Sequence, residues 1–174
     1  MDHIRNIILQ VEELKSQKKF KDAIAKVQTA LSHNADDYRL YEELADIYLY
    51  ISDFEKAISA LDFALTLNPQ SATGNYLKGF ILLGEDKVEE ALVYLEDSNK
   101  LFGNNAEVLR NLGWAYTLLG QQERGIIMLK RALNIAPEDE LITEDLAMAL
   151  IGKGEILAGN RLLKKIGKPQ AASI

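Results

Sequence analysis

The stretch Asn111–Gly120, NLGWAYTLLG, decides how this chain is read. It has the composition of a helix, yet Gly113 sits inside it. Glycine in a helix interior costs about 1 kcal/mol relative to alanine. Trp114 follows at once. The glycine therefore needs a purpose, and the surrounding sequence supplies one.

Stepping outward by 34 residues, Gly113 falls in register with Gly79, Ala45, Val11 and Ala147. Tyr116 aligns with Tyr48, Leu82, Leu14 and Leu150. Leu129 aligns with Val27, Leu61, Leu95 and Leu163, and Ala132 with Ala30, Ala64 and Ser98. Pro137 aligns with Pro69. A fixed period over nearly the whole chain is the mark of a repeat architecture. Gly113, Leu109, Leu112 and Tyr116 share one stripe at 100° per residue. A small residue on that stripe lets two helix backbones approach closely, and Ala57, Ala91 and Gly125 are read the same way on the following helix.

Residues 106–139 carry Leu109, Leu112, Gly113, Tyr116, Gly120, Leu129, Ala132 and Pro137. Residues 38–71 carry Tyr41, Leu44, Ala45, Tyr48, Ala57, Leu61, Ala64 and Pro69. In these residues the chain resembles the tetratricopeptide repeat family. The resemblance implies one all-α domain over 1–174, a right-handed superhelical α-solenoid of five helix-turn-helix units at 4–37, 38–71, 72–105, 106–139 and 140–173, with ten antiparallel helices. Each unit shows two amphipathic stretches of about 14 residues, roughly 21 Å each. The breakers between them are SQKK, YISD, LGED, LGQQ and GKGE. Such a pair cannot bury its apolar stripe alone, so neighbouring pairs must stack. Several positions depart from the pattern. Lys78 and Asn75 stand where apolar residues belong, which predicts a looser first helix in the third unit with Lys78 reaching outward. Gly103 replaces the proline, Gln10 replaces a leucine, and Gly159 is expected to weaken the last helix.

Composition bounds the function. Hydrophobic residues are 48% and charged residues 26% of the chain, which fits a folded protein. The net charge of −6 argues against a nucleic-acid surface. No segment approaches the ~18 apolar residues of a membrane span, so no membrane insertion is expected. The amino terminus has no basic start and too short an apolar run for a signal peptide. Cysteine is absent, which excludes disulfide and thiolate chemistry and is compatible with a reducing compartment; the expected location is the cytoplasm. His3 and His33 lack metal-ligand spacing and are read as solvated. GKGE lacks the rest of a phosphate loop. Acid pairs such as Glu42-Glu43 and Glu89-Glu90 are read as solvated helix faces. No catalysis, metal or cofactor is expected.

The resemblance places partners on the face formed by the first helix of each unit. Trp114 lies roughly 150° from its stripe's centre by helical rotation and so points toward that face. Glu107, Arg110, Thr117 and Leu118 share its side, and Asn111 lies close by. Its register partner is Phe80, with Tyr76 a turn before and Leu83 near. The second unit offers Arg39, Glu42, Asp46, Leu49 and Tyr50, and the fifth offers Leu141, Glu144, Met148 and Ile151. The expected groove thus has an aromatic centre of Tyr76, Phe80 and Trp114 flanked by acids; the alternative is that these rings pack as core between first helices. Of the lysine–asparagine–arginine clamp with which some family members hold a C-terminal carboxylate, only Asn111 finds a match. Tyr76, Leu77, Leu141 and Asp145 replace the rest, so a chaperone-tail adaptor is not expected. The second and third units carry −4 and −3, which would steer a partner with basic residues.

The expected function is a non-catalytic adaptor or scaffold that binds a protein or peptide with basic and apolar residues. Two alternatives stay open. One is a self-assembling scaffold: Ile156, Leu157, Leu162, Leu163 and Ile166 surround the last helix, an imperfect cap that only the tail 168–174 would cover, and a homo-oligomer would form there. The other is a secretion-type chaperone.

Overall fold

The computed structural model describes residues 3–172 and over them consists of ten helices with no strand. They are α1 (His3–Ser16), α2 (Phe20–Leu31), α3 (Tyr38–Tyr50), α4 (Phe54–Leu67), α5 (Ala72–Gly84), α6 (Val88–Leu101), α7 (Ala106–Leu118), α8 (Gln122–Ile135), α9 (Glu140–Gly152) and α10 (Ile156–Lys165). Taken in chain order as pairs, α1–α2 to α9–α10, they recur about every 34 residues. Together they form an all-α solenoid of the helix-pair kind.

The period is written into the backbone. Lys18, Ser52, Asp86, Gly120 and Gly154 all take positive φ, each 34 residues from the next. Each closes the turn inside one pair. The N–H of the following residue then donates to a carbonyl five residues back: Lys19 to Leu14, Asp53 to Tyr48, Lys87 to Leu82, Gln121 to Tyr116 and Glu155 to Leu150, all at 2.8–2.9 Å. These bonds satisfy carbonyls that a helix end leaves without partners. The starts of the first helices repeat too. Asp37, Ser71, Asn105 and Asp139 share one register and cap their helices by accepting from the N–H of Arg39, Gly74, Val108 and Ile142. Such caps contribute about 1 kcal/mol each.

The chain divides into two compact units, Met1–Ile81 and Leu82–Ile174, the division falling inside α5. In the first, α1 packs on α2 and α3, and α3 on α4. Val11, Val27, Leu40, Ile47 and Leu61 are fully buried there. In the second, α7 packs on α6, α8 and α9, and α9 on α10. Leu95, Leu109, Leu129 and Ala132 are fully buried. Hydrophobic burial of this kind is the main favourable term in the fold.

Gly113 has the purpose its register implies. A Cβ built there would lie 2.5 Å from Leu129 Cγ and 3.0 Å from the Gly125 carbonyl oxygen. Gly125 is closed in the same way by Thr117 and the Gly113 carbonyl. Gly159, expected to weaken α10, stands in the same register as Gly125. Its Cβ would meet Ile151 Cγ1 at 2.5 Å and the Ala147 carbonyl at 2.7 Å, so it is a contact point between α9 and α10 rather than a flaw. The start of α5 is not loose at Asn75. That side chain is buried and donates to the carbonyls of Pro69 (3.1 Å) and Ser71 (2.7 Å). Lys78 pairs with Asp62 of α4 at 2.5 Å.

Candidate functional site

Helices α1, α3 and α5 of the first unit present their register-equivalent faces to one cleft of about 530 Å³. Ile8, Glu42 and Tyr76 are equivalent residues of the three helices. Glu12 and Asp46 are equivalent in α1 and α3, as are Arg39 and Thr73 in α3 and α5. All seven line the cleft, with Tyr38 and Glu43. Four residues expected in the groove, Arg39, Glu42, Asp46 and Tyr76, are thus brought together. Phe80 stands beside Tyr76, ring centroids 6.3 Å apart, and is exposed. Tyr50 is exposed and stacks on Phe20 at 5.7 Å.

The acids of this cleft are not the solvated pairs the sequence implied. Glu42 is 7% exposed. Its carboxylate accepts from the Ser71 hydroxyl at the start of α5, where an anion is favoured by the helix dipole. Gly74 makes room for it, since a Cβ there would sit 2.8 Å from Glu42 Oε1. Burial pushes the Glu42 carboxyl above its ordinary value, against the hydrogen bonds from Ser71 and the Gly74 N–H.

Lys15, which the sequence reading missed, organises the floor. It is buried, and its Nζ donates to Glu12 Oε1 and Asp46 Oδ2, both at 2.5 Å. Glu43 Oε2 lies 3.4 Å away, and the Tyr50 ring centroid 5.7 Å. Burial alone would lower the lysine's pKa, but Asp46, Glu12 and Glu43 together raise it. Burial pushes the Glu43 carboxyl up to about 7, with Lys15 opposing and the neighbouring acids adding to the shift. One cation faces three carboxylates, so the site retains negative potential. Lys15 shares its register with Leu49, Leu83, Thr117 and Ile151. A charged residue at a position otherwise apolar or neutral was the signal that could have found it.

Arg39 is held by Asp37 through two bonds, Nε to Oδ1 at 2.9 Å and Nη2 to Oδ2 at 2.7 Å. In the second unit Arg110 is likewise engaged: its Nε donates to Asp145 Oδ2 at 2.5 Å. Burial raises the Asp145 carboxyl while Arg110 pulls it down. Asn111 is half-buried on α7 and Leu83 half-buried at the end of α5. Trp114 on α7 is 39% exposed, and its register partner on α9, Met148, is 52% exposed. Leu118 and Leu141 are exposed on the same two helices. Among the described residues no group of three or more His, Cys, Asp or Glu could hold a metal ion. No helix there is long and apolar enough to cross a membrane.

Comparison with known proteins matches this architecture. Models of the tetratricopeptide repeat match residues 43–99 and 106–139, together just over half of the chain. BBSome complex member BBS4 of Bos taurus is 29% identical over 119 residues, 68% of this chain and 23% of that protein. Tetratricopeptide repeat protein 33 of Homo sapiens is 27% identical over 111 residues, 63% of this chain and 42% of that protein. The chain therefore spans less than half the length of these relatives. Among solved structures, PilW, a widely conserved type IV pilus biogenesis factor, superposes with a TM-score of 0.84 at 23% identity over 95% of this chain and 77% of its own. MamA from Desulfovibrio magneticus RS-1 gives 0.80 at 20% over 95% and 94%. YrrB, described as a TPR protein with an unusual peptide-binding site, gives 0.74 at 18% over 91% and 82%. These structural likenesses show the fold. With the register, the paired helices and the matching repeat models in hand, the chain belongs to the tetratricopeptide repeat family.

Proposed function

We propose that this chain is a non-catalytic adaptor that holds an extended or helical segment of another protein against its first helices, with the cleft of the first unit as the principal site. The cleft on α1, α3 and α5 carries the reading: register-equivalent side chains converge on it. Its carboxylates outnumber the cations that answer them, and Tyr38 and Tyr76 give it flat apolar walls. A partner with lysine or arginine beside an apolar anchor fits this chemistry. In the second unit, Trp114 and Met148 provide exposed apolar area of the kind that dominates binding energy. The fold class supports an interaction scaffold, and peptide binding by YrrB is a likeness in kind. A cysteine-free chain is compatible with a reducing compartment, and on that ground we place it in the cytoplasm.

The test is affinity capture on the immobilised full chain from its source cell. Asp46→Lys and Trp114→Ala are compared with Val93→Ala, which changes an exposed residue of α6. Proteins retained by the unaltered chain and by Val93→Ala should be lost from Asp46→Lys, and binding should weaken with added salt. An unchanged set of captured proteins on Asp46→Lys removes the cleft as the site.

Self-association through α10 is a second reading. Leu163 of that helix is buried and Ile156, Leu162 and Ile166 are half-buried, but Leu157 is 71% exposed. A Leu157→Glu variant that lowers the molar mass found by light scattering would support it.

A further inference from the structure

The last helix ends in a way that sends the chain back along itself. Gly167 takes φ +68°. Its N–H donates to the Lys164 carbonyl at 3.2 Å, and the Lys168 N–H donates to that of Leu163 at 2.9 Å. This is the glycine-terminated helix end that reverses the chain direction. Pro169 then prevents any resumption of helix. The returning segment meets Asn160, two helical turns before the reversal. Asn160 Nδ2 donates to the Ala171 carbonyl at 2.8 Å, and Asn160 Oδ1 accepts from the Ala171 N–H at 2.8 Å. One side-chain amide thus reads both main-chain groups of one residue, as a neighbouring β-strand would. Three residues earlier, Lys168 pairs with Glu144 of α9 at 3.3 Å.

Asn160 is 8% exposed. Its register equivalents are Ile24, Ile58, Leu92 and Ile126, all apolar. Ile126 shares one buried cluster with Leu146, Ala149 and Leu150 of α9, the first helix of the following repeat. A polar amide at this apolar position, aimed along the helix surface and satisfied on both atoms by a passing main chain, is built to receive an extended peptide. Packing alone would be served by isoleucine.

We propose that Asn160 and Glu144 form a peptide-docking site that takes an extended segment with a basic residue three positions before a small one, and that residues 168–172 are its resident, displaceable occupant. Recognition is by main chain at Asn160 and by charge at Glu144. The site is separate from the cleft of the first unit and does not rest on it.

The test uses the full chain and a fluorescent, end-capped synthetic peptide of residues 168–172, followed by anisotropy. Ala171→Pro removes the N–H that Asn160 accepts while leaving chain length intact. Proline already stands at the equivalent positions 69 and 137, so the substitution suits this place in the repeat. The unaltered chain should bind the peptide weakly. Ala171→Pro should bind it roughly tenfold more tightly, the worth of about one net hydrogen bond withdrawn from the competing tail. Asn160→Leu, the residue type that the third repeat carries here as Leu92, should remove that binding when added to Ala171→Pro, and Glu144→Gln should weaken it. If Ala171→Pro binds the peptide no better than the unaltered chain, or if Asn160→Leu leaves binding intact, the proposal is overturned. A lowered melting temperature in Ala171→Pro with no peptide binding would make the tail a fixed part of the fold and overturn it equally.

Discussion

At the scale of single residues, the adjacent pair Gly113 and Trp114 separates packing from surface. Alanine at 113 should lower stability by about 1–3 kcal/mol in urea denaturation, although its helix propensity is better, because the Gly125 backbone cannot retreat. Trp114→Ala should cost about 1 kcal/mol, far below the ~3–5 kcal/mol of a core aromatic. The turn residues offer an opposite pair. Lys18 holds φ +57° with a side chain, whereas Gly120 holds φ +73° without one. A left-handed conformation costs an L-residue roughly 1–2 kcal/mol, part of which glycine returns through its unfolded-state entropy. Lys18→Gly should therefore raise stability by about 0.5–1 kcal/mol. Gly120→Ala should lower it by about 1 kcal/mol, with no steric contact to confuse the reading. Thermal melts of the two variants check this.

At the scale of elements, α1 and α3 are joined by a titratable contact. The folded chain holds the Glu43 proton up to about pH 7, while the unfolded chain releases it near 4.5. Between those values the folded state binds more protons, so this contribution is full below the lower value and is lost as pH rises through the upper one. Stability should fall by about 1–3 kcal/mol from about pH 5 to about pH 8, and Glu43→Gln should flatten that slope. Denaturation midpoints at the two pH values decide it. This contact also shows where sequence reading stopped. The 34-residue register made the helices, their turns and the close approach at Gly113 legible, because each leaves a repeated residue type. The caps at Asp37, Ser71, Asn105 and Asp139 are equally periodic but alternate among three residue types, so no single repeated residue marks them. The contact of Lys15 with Asp46 and Glu43 was not legible: it crosses from one repeat to the next, which a helical wheel drawn for one helix does not show. Arg39, Glu42, Asp46 and Tyr76 were legible as a face, but their internal engagement by Asp37, Ser71 and Lys15 depends on which atoms meet.

At the scale of the whole molecule, each unit is held by contacts between helices adjacent or next-but-one along the chain. Stability of such an array is close to a sum over neighbours, so damage stays local. Gly159→Leu, which forces a large side chain between α9 and α10, should abolish hydrogen-exchange protection in 140–166 while α1 to α4 keep theirs. Loss of protection throughout would show a single cooperative block instead. The left-handed turn residues carry a further consequence. Because Lys18, Ser52, Asp86, Gly120 and Gly154 recur at an unbroken interval of 34, the chain has a grammar in which whole sentences can be inserted or struck out but not half of one. A tandem duplication of 34 residues opening at any of these turns hands every side chain a neighbour of the kind it already has. One of 30 residues, by rotation of roughly 40° at 100° per residue, turns each apolar stripe away from its partner. Growth and loss by complete periods are therefore the changes in length that this architecture absorbs.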